Sequence, residues 1–176
     1  DEFEGTVRLT RDPGNAGNSF IGHPLDASEA QGVKGDSGQS LRKDFVTIVQ
    51  TKSLDAIAEE HALRLGGRFS DVCLLKMDIE GAEERALRSA RRLLSGPLRV
   101  ISFEFCPAKT EEDIRSKIDL LRFLASFGFA IFGNADLGGR DHVIEEREYT
   151  PSEFEQLVRK MADMGRLGTT LAALKL

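Results

Sequence analysis

Val72-Cys73-Leu74-Leu75-Lys76-Met77-Asp78-Ile79-Glu80-Gly81-Ala82-Glu83 is the stretch that decides the fold. Val72 to Ile79 is a near-continuous apolar run, the pattern of a parallel strand covered on both faces. Gly81 opens a helix whose apolar stripe is Ala86, Leu87, Ala90 and Leu94, closed by Gly96-Pro97. Leu98 to Phe105 is the next strand. Strand, helix, strand at this spacing is a βαβ unit.

The pattern continues on both sides. Upstream, Val46-Thr47-Ile48-Val49 reads as a strand, and Ser53 caps a helix with Leu54, Ile57, Ala58, Ala62 and Leu65 at helical spacing. Gly66-Gly67 ends it. Downstream, Thr110 and Asp113 form a capping box for a helix carrying Ile114, Ile118, Leu121 and Ala125. Gly128 stops that helix before the strand Phe129-Ala130-Ile131-Phe132. Thr150-Pro151-Ser152-Glu153 starts a helix that buries Phe154, Leu157, Val158 and Met161. A last strand covers Thr169 to Leu174. The sum is an α/β fold around a mostly parallel sheet, one domain over residues 1–176. Its first part, residues 1–44, is a loop-rich opening segment. It holds one short strand, Thr6 to Thr10, and turn-residue clusters at Asp12–Asn18 and Ser28–Ser40.

Composition narrows the function. The 176 residues are 40% hydrophobic and 30% charged, which is globular composition. A net charge of −5 lacks the electrostatic footprint of a nucleic-acid binder. No apolar run approaches the roughly 20 residues of a membrane-spanning helix. Cys73 and Cys106 are too few for a disulfide scaffold, and both sit in apolar strands, so we expect reduced core thiols and a reducing compartment. The sequence starts at Asp1 without a signal peptide, which suggests a processed product or a piece of a longer chain.

The chemistry gathers at the same strand end. Period-two geometry puts Lys76 and Asp78 on one face, Glu80 and Gly81 form the turn, and Glu83 lies on the inward stripe of the helix. Ligands of open α/β sheets bind beyond the carboxyl ends of strands, and a helix N-terminus favours carboxylates there. Glu104, between Phe103 and Phe105, needs a partner at that depth. Should the two strands be neighbours, it faces Lys76 or Asp78. Two readings stand side by side. In the structural one, Glu83 satisfies the helix start and Lys76 pairs with a carboxylate such as Glu104. In the functional one, the cluster is a base and a set of ligand-orienting groups.

The order of the strand 47–49, Ser53-Leu54-Asp55-Ala56-Ile57, Leu75-Lys76-Met77-Asp78-Ile79-Glu80-Gly81-Ala82-Glu83, Leu93-Leu94 and Ile101-Ser102-Phe103-Glu104 resembles the FkbM-type methyltransferases. The K-x-D-x-E-G-x-E segment is their most recognisable motif, and Gly14-Asn15-Ala16-Gly17-Asn18-Ser19 is similar to their loop before it. The resemblance implies a Rossmann-like class I methyltransferase sheet, S-adenosylmethionine as cofactor, and O-methylation of a hydroxyl on a sugar or small molecule. It casts Asp78, Glu80 and Lys76 as catalytic and Glu83 and Glu104 as substrate-binding. The family's first strand and glycine-rich cofactor turn would precede Asp1, so the sheet reads as truncated at its start. No cofactor-binding residue is identified and no metal site is expected. The strand Val72 to Ile79 then has an open side, to be completed by upstream chain, a partner subunit or a second copy. The competing reading is a catalytically inactive, methyltransferase-like pseudoenzyme that serves as a structural or binding subunit.

Other residues carry less. His61 falls on the apolar side of its helix and reads as a partly buried structural residue. His23 and His142 lie in loops and do not form a metal motif. Arg85, Arg88, Arg91 and Arg92 read as a solvated helix face, with Glu84 and Arg88 an i,i+4 pair. Phe123, Phe127, Phe129 and Phe132 read as core.

Overall fold

Alternation of apolar residues along Val100–Phe105 builds an interior strand of the sheet. In the computed structural model Ile101, Phe103 and Phe105 are buried and the residues between them half-buried. The structure describes residues 5–10, 20–21, 46–79, 82–133, 147–163 and 169–175. The chain forms two units, Asp1–Ser53 and Leu54–Leu176.

In the first unit β1 (Gly5–Thr10) pairs antiparallel with β2 (Phe20–Ile21) and with β3 (Val46–Thr51). The turn clusters at 12–18 and 28–40, and His23, lie outside the described residues, as does His142 further on.

In the second unit the elements are α1 (Leu54–Arg64), a 3-10 turn (Phe69–Asp71), β4 (Leu74–Met77), α2 (Glu83–Arg88), α3 (Arg91–Ser95), β5 (Val100–Phe105), α4 (Glu111–Ser126), β6 (Phe129–Gly133), β7 (Glu148–Tyr149), α5 (Phe154–Asp163) and β8 (Thr169–Lys175). The sheet order is β4-β5-β8-β6-β7. Only the β4–β5 pairing is parallel among the described strands; β8 lies antiparallel between β5 and β6, and β7 is antiparallel to β6. The sheet is therefore mixed rather than mostly parallel. The reason is topological. The last strand, which follows α5 in the chain, stands between β5 and β6 and runs opposite to both.

Local signals explain the helix ends. Thr110 Oγ1 accepts the Asp113 N–H at 3.1 Å, and Asp113 Oδ2 accepts the Thr110 N–H at 3.1 Å, a complete capping box. Gly66 and Gly128 end α1 and α4 at φ of 68° and 84°, a conformation costly for any residue with a Cβ. Phe154, Leu157, Val158 and Met161 are all buried, as the stripe of α5 requires.

Three local expectations are corrected. The helix after Gly81 is two short helices, α2 and α3. Ser89 Oγ donates to Ala86 O at 2.7 Å and accepts the Leu54 N–H at 2.9 Å, which ties the break to the start of α1. Asp55 of α1 then accepts the N–H groups of Arg92 and Leu93 at 2.8 and 3.0 Å, an N-terminal cap supplied across the packing interface. His61, Ile57 and Leu65 are exposed, so α1 buries a narrower stripe, Leu54, Ala58 and Ala62. Cys73 is exposed and Cys106 half-buried; neither is in a disulfide, and neither is a core thiol. Cys73 directly precedes β4, which stands at the edge of the described strands.

Candidate functional site

Parallel pairing of β4 and β5 sets Lys76 beside Ser102 and Met77 beside Phe103. Met77 and Phe103 are buried on one face. Lys76, Ser102 and Glu104 therefore belong to the opposite face, because side chains alternate along a strand. Asp78 follows β4 directly, one step past Met77, as Glu104 stands one step past Phe103. Neighbouring strands lie about 4.8 Å apart, so both carboxylates mark the carboxyl end of one strand pair. Asp78 and Lys76 are exposed and Glu104 is half-buried. Among the described residues no ion pair joins Lys76 to Glu104 or Asp78.

Glu83 differs from these. It is 5% exposed, and its Oε1 accepts the Ile79 N–H at 2.9 Å. The side chain reaches back from the first residue of α2 and closes the turn that leaves β4. A buried carboxylate bonded to an N–H makes a charge-assisted contact, so Glu83 sets the path of the chain just beyond Asp78. Glu84 faces elsewhere: it pairs with Arg88 at 2.9 Å and accepts from Ser116 Oγ at 2.8 Å, tying α2 to α4. Glu80 and Gly81 lie outside the described residues.

The structure adds residues that the sequence did not single out. β8 places Thr170 beside Glu104 in antiparallel register, which puts a hydroxyl next to the carboxylate. Lys117 of α4 holds its ammonium 4.8 Å from the centre of the Phe105 ring, at the end of β5. The signal for Thr170 is absent from local sequence, since nothing near it says which strand it borders. The arrangement offers carboxylate acceptors, an ammonium and a hydroxyl at one strand end. Such a set can bind a polyhydroxylated molecule and take a proton from one of its hydroxyls.

Neither a metal nor a nucleotide-type cofactor finds a built site in these residues. No cluster of His, Cys, Asp and Glu among the described residues could hold a metal ion. A nucleotide-type cofactor calls for a glycine-rich turn between a buried strand and a helix. The described glycines with positive φ, Gly66 and Gly128, both follow helices, so the described residues do not form that cradle. No helix of the described residues is long and apolar enough to cross a membrane.

Comparison with known proteins places the chain. A family model described as the methyltransferase FkbM domain matches residues 6–131, which is more than half of the sequence. No curated protein and no solved structure matches the chain.

Proposed function

The chain belongs to the FkbM methyltransferase family, and from that premise we propose that it serves O-methylation of a hydroxyl on a sugar or small molecule. The carrying observation is the strand end that gathers Lys76, Asp78 and Glu104 on adjacent parallel strands. In this reading Asp78, exposed and immediately past β4, orients the substrate hydroxyl and accepts its proton. Lys76 supplies an ammonium on the same strand, and Glu104 with Thr170 accepts and donates hydrogen bonds to neighbouring hydroxyls. Glu80 and Glu83 shape the site. Methyl transfer needs the nucleophile held in line with the methyl carbon, so positioning supplies much of the rate.

The family implies S-adenosylmethionine as the methyl donor. The described residues lack a cradle for it, so the role assigned to them is on the acceptor side. The open side of β4 is where a further strand, from more of the chain, a partner subunit or a second copy, completes the sheet. The family membership gives no support to the reading as an inactive structural module.

Asp78→Asn tests the assignment in the form of the protein that turns over. Turnover should fall by about 10²–10⁴-fold, the range of a general base, with the circular dichroism and melting midpoint unchanged. Unchanged turnover would take Asp78 out of the reaction, and loss of folding would assign it to the scaffold instead.

A further inference from the structure

A groove of about 690 Å³ lies at the opposite pole of the same strands, lined by Phe69, Ser70, Arg91, Arg92, Ser95 and Arg99 among others. Phe69 and Ser70 precede β4, and Arg99 precedes β5. The groove thus sits at the amino ends of the strands, roughly 10 Å (β4) and roughly 17 Å (β5) from their carboxyl ends by strand rise. It is separate from the Asp78 cluster, and its chemistry is independent of the methyltransferase reading.

Three arginines line this groove on a chain whose net charge is −5. The carboxylates nearby are committed. Asp55 caps α3 through the Arg92 and Leu93 amides. Asp71 accepts the Arg68 N–H at 2.9 Å and the Ser70 hydroxyl at 3.3 Å. Glu59 takes Arg92 at 2.9 Å. Among the described residues Arg91 and Arg99 have no carboxylate partner.

Two of the three guanidiniums are also held in place. The Arg92 guanidinium lies 4.7 Å from the Phe69 ring centre, and that of Arg91 lies 5.3 Å from the Phe123 ring centre. Arg99 is fixed through its backbone, donating to Cys73 O at 2.9 Å and accepting from the Lys175 N–H at 2.8 Å. Groups fixed before binding lose less entropy on binding. The free carbonyls at the end of α3 would repel an anion. Lys175 covers them, its Nζ donating to Leu94 O at 3.0 Å and lying 3.5 Å from Ser95 O.

We propose that this groove binds a phosphate-type dianion, as a free phosphate or a phosphomonoester, through Arg91 and Arg99, with Arg92 as its third wall. Guanidinium forks match phosphate oxygens in geometry and charge. Both serine hydroxyls are donated elsewhere, Ser70 to Asp71 and Ser95 to Arg91 O at 2.7 Å. The contacts to the anion are therefore arginine contacts.

The test is an NMR titration of the whole chain with inorganic phosphate and, separately, glucose 6-phosphate, at constant ionic strength with sodium chloride as balance. Saturable shifts are expected at the amides of Ser70, Ser95, Gly96 and Arg99. Arg91→Gln and Arg99→Gln should each weaken binding about tenfold, as loss of one charged hydrogen-bond donor does. Arg99→Lys, which keeps the charge and loses the fork, should fall between wild type and Arg99→Gln. Tighter binding of the sugar phosphate makes an ester the ligand, whereas equal binding makes it free phosphate. Shifts that do not saturate, that chloride reproduces, or that saturate at unchanged phosphate concentration in a folded Arg99→Gln variant would overturn the proposal. Should Arg91→Gln fail to fold, the Arg99 variants decide alone.

Discussion

The sheet of the second unit ends in two strands that treat their open sides differently. β7, Glu148–Tyr149, is two residues long. Arg147, just before it, stacks 4.2 Å from the Tyr149 ring centre and pairs with Glu153 at 2.8 Å. Short length and charge are the usual ways to keep an edge from recruiting another chain. β4, Leu74–Met77, is twice as long and mostly apolar, and Leu74 is 60% exposed. Lys76 guards only its far end. One edge is built for water, and the other is shaped like an interior strand whose neighbour is not among the described strands.

Truncating a side chain at each edge sharpens this contrast most. Tyr149 is 7% exposed and packs in the core cluster. Tyr149→Ala should cost about 3 kcal/mol in urea unfolding, as large-to-small changes in cores do. Leu74→Ala should stay within about 0.5 kcal/mol for the chain by itself, as surface changes do. A large loss at Leu74 would show that something already covers it and would erase the difference between the edges.

A charge placed on the open edge gives the next effect in size. Sedimentation of the chain should show self-association through β4, and Leu74→Lys should weaken it about tenfold without lowering stability, as edge lysines do in natural sheets. Cys73 O accepts the Val100 N–H, so by alternation the Leu74 amide faces away from β5. A wild-type monomer with hydrogen-exchange protection at Leu74 would break the comparison, because that amide would then already be paired.

How much of the fold was legible in the sequence depended on whether the signal was local. The stripes of α4 and α5, the Thr110–Asp113 box and the helix stops at Gly66 and Gly128 depend on residues within a turn of each other, and they read correctly. The adjacency of β4 and β5 follows from a βαβ unit, so the grouping of Lys76 with Glu104 was within reach. What failed needed a distant partner. The break at Ser89 is held by Leu54 and Asp55, more than thirty residues away along the chain. The apolar run at Val72 to Ile79 reads as a central strand, because apolarity reports how much burial a strand is suited to and not which strands flank it. The same gap hid the exposure of Cys73 and the place of Thr170 beside Glu104.

The smallest effect belongs to the protected edge and to acid. Glu153 accepts the Thr150 N–H at 2.9 Å and the Thr150 hydroxyl at 2.7 Å, and Arg147 stands against its other oxygen. These contacts, the backbone N–H foremost, hold its carboxyl at about 2, below the ordinary 4.5. A carboxyl depressed on folding stabilises the protein above its unfolded value and loses that contribution as pH falls through the folded one. The stabilisation from Glu153 is therefore complete above pH 4.5 and is lost between there and about pH 2. Asp113 is lowered in the same direction by the Lys109 N–H, so acid sensitivity of the whole chain does not isolate Glu153. The difference between wild type and Glu153→Gln does, since Asp113 is common to both. Urea midpoints measured at several pH values should converge as pH drops across this window, because the variant has no proton to gain there. The side chain is 31% exposed and water screens it, so the change is a small one. Parallel curves would mean that β7 is kept closed by its shortness alone. The Arg147–Glu153 pair would then play no part in what separates this edge from β4.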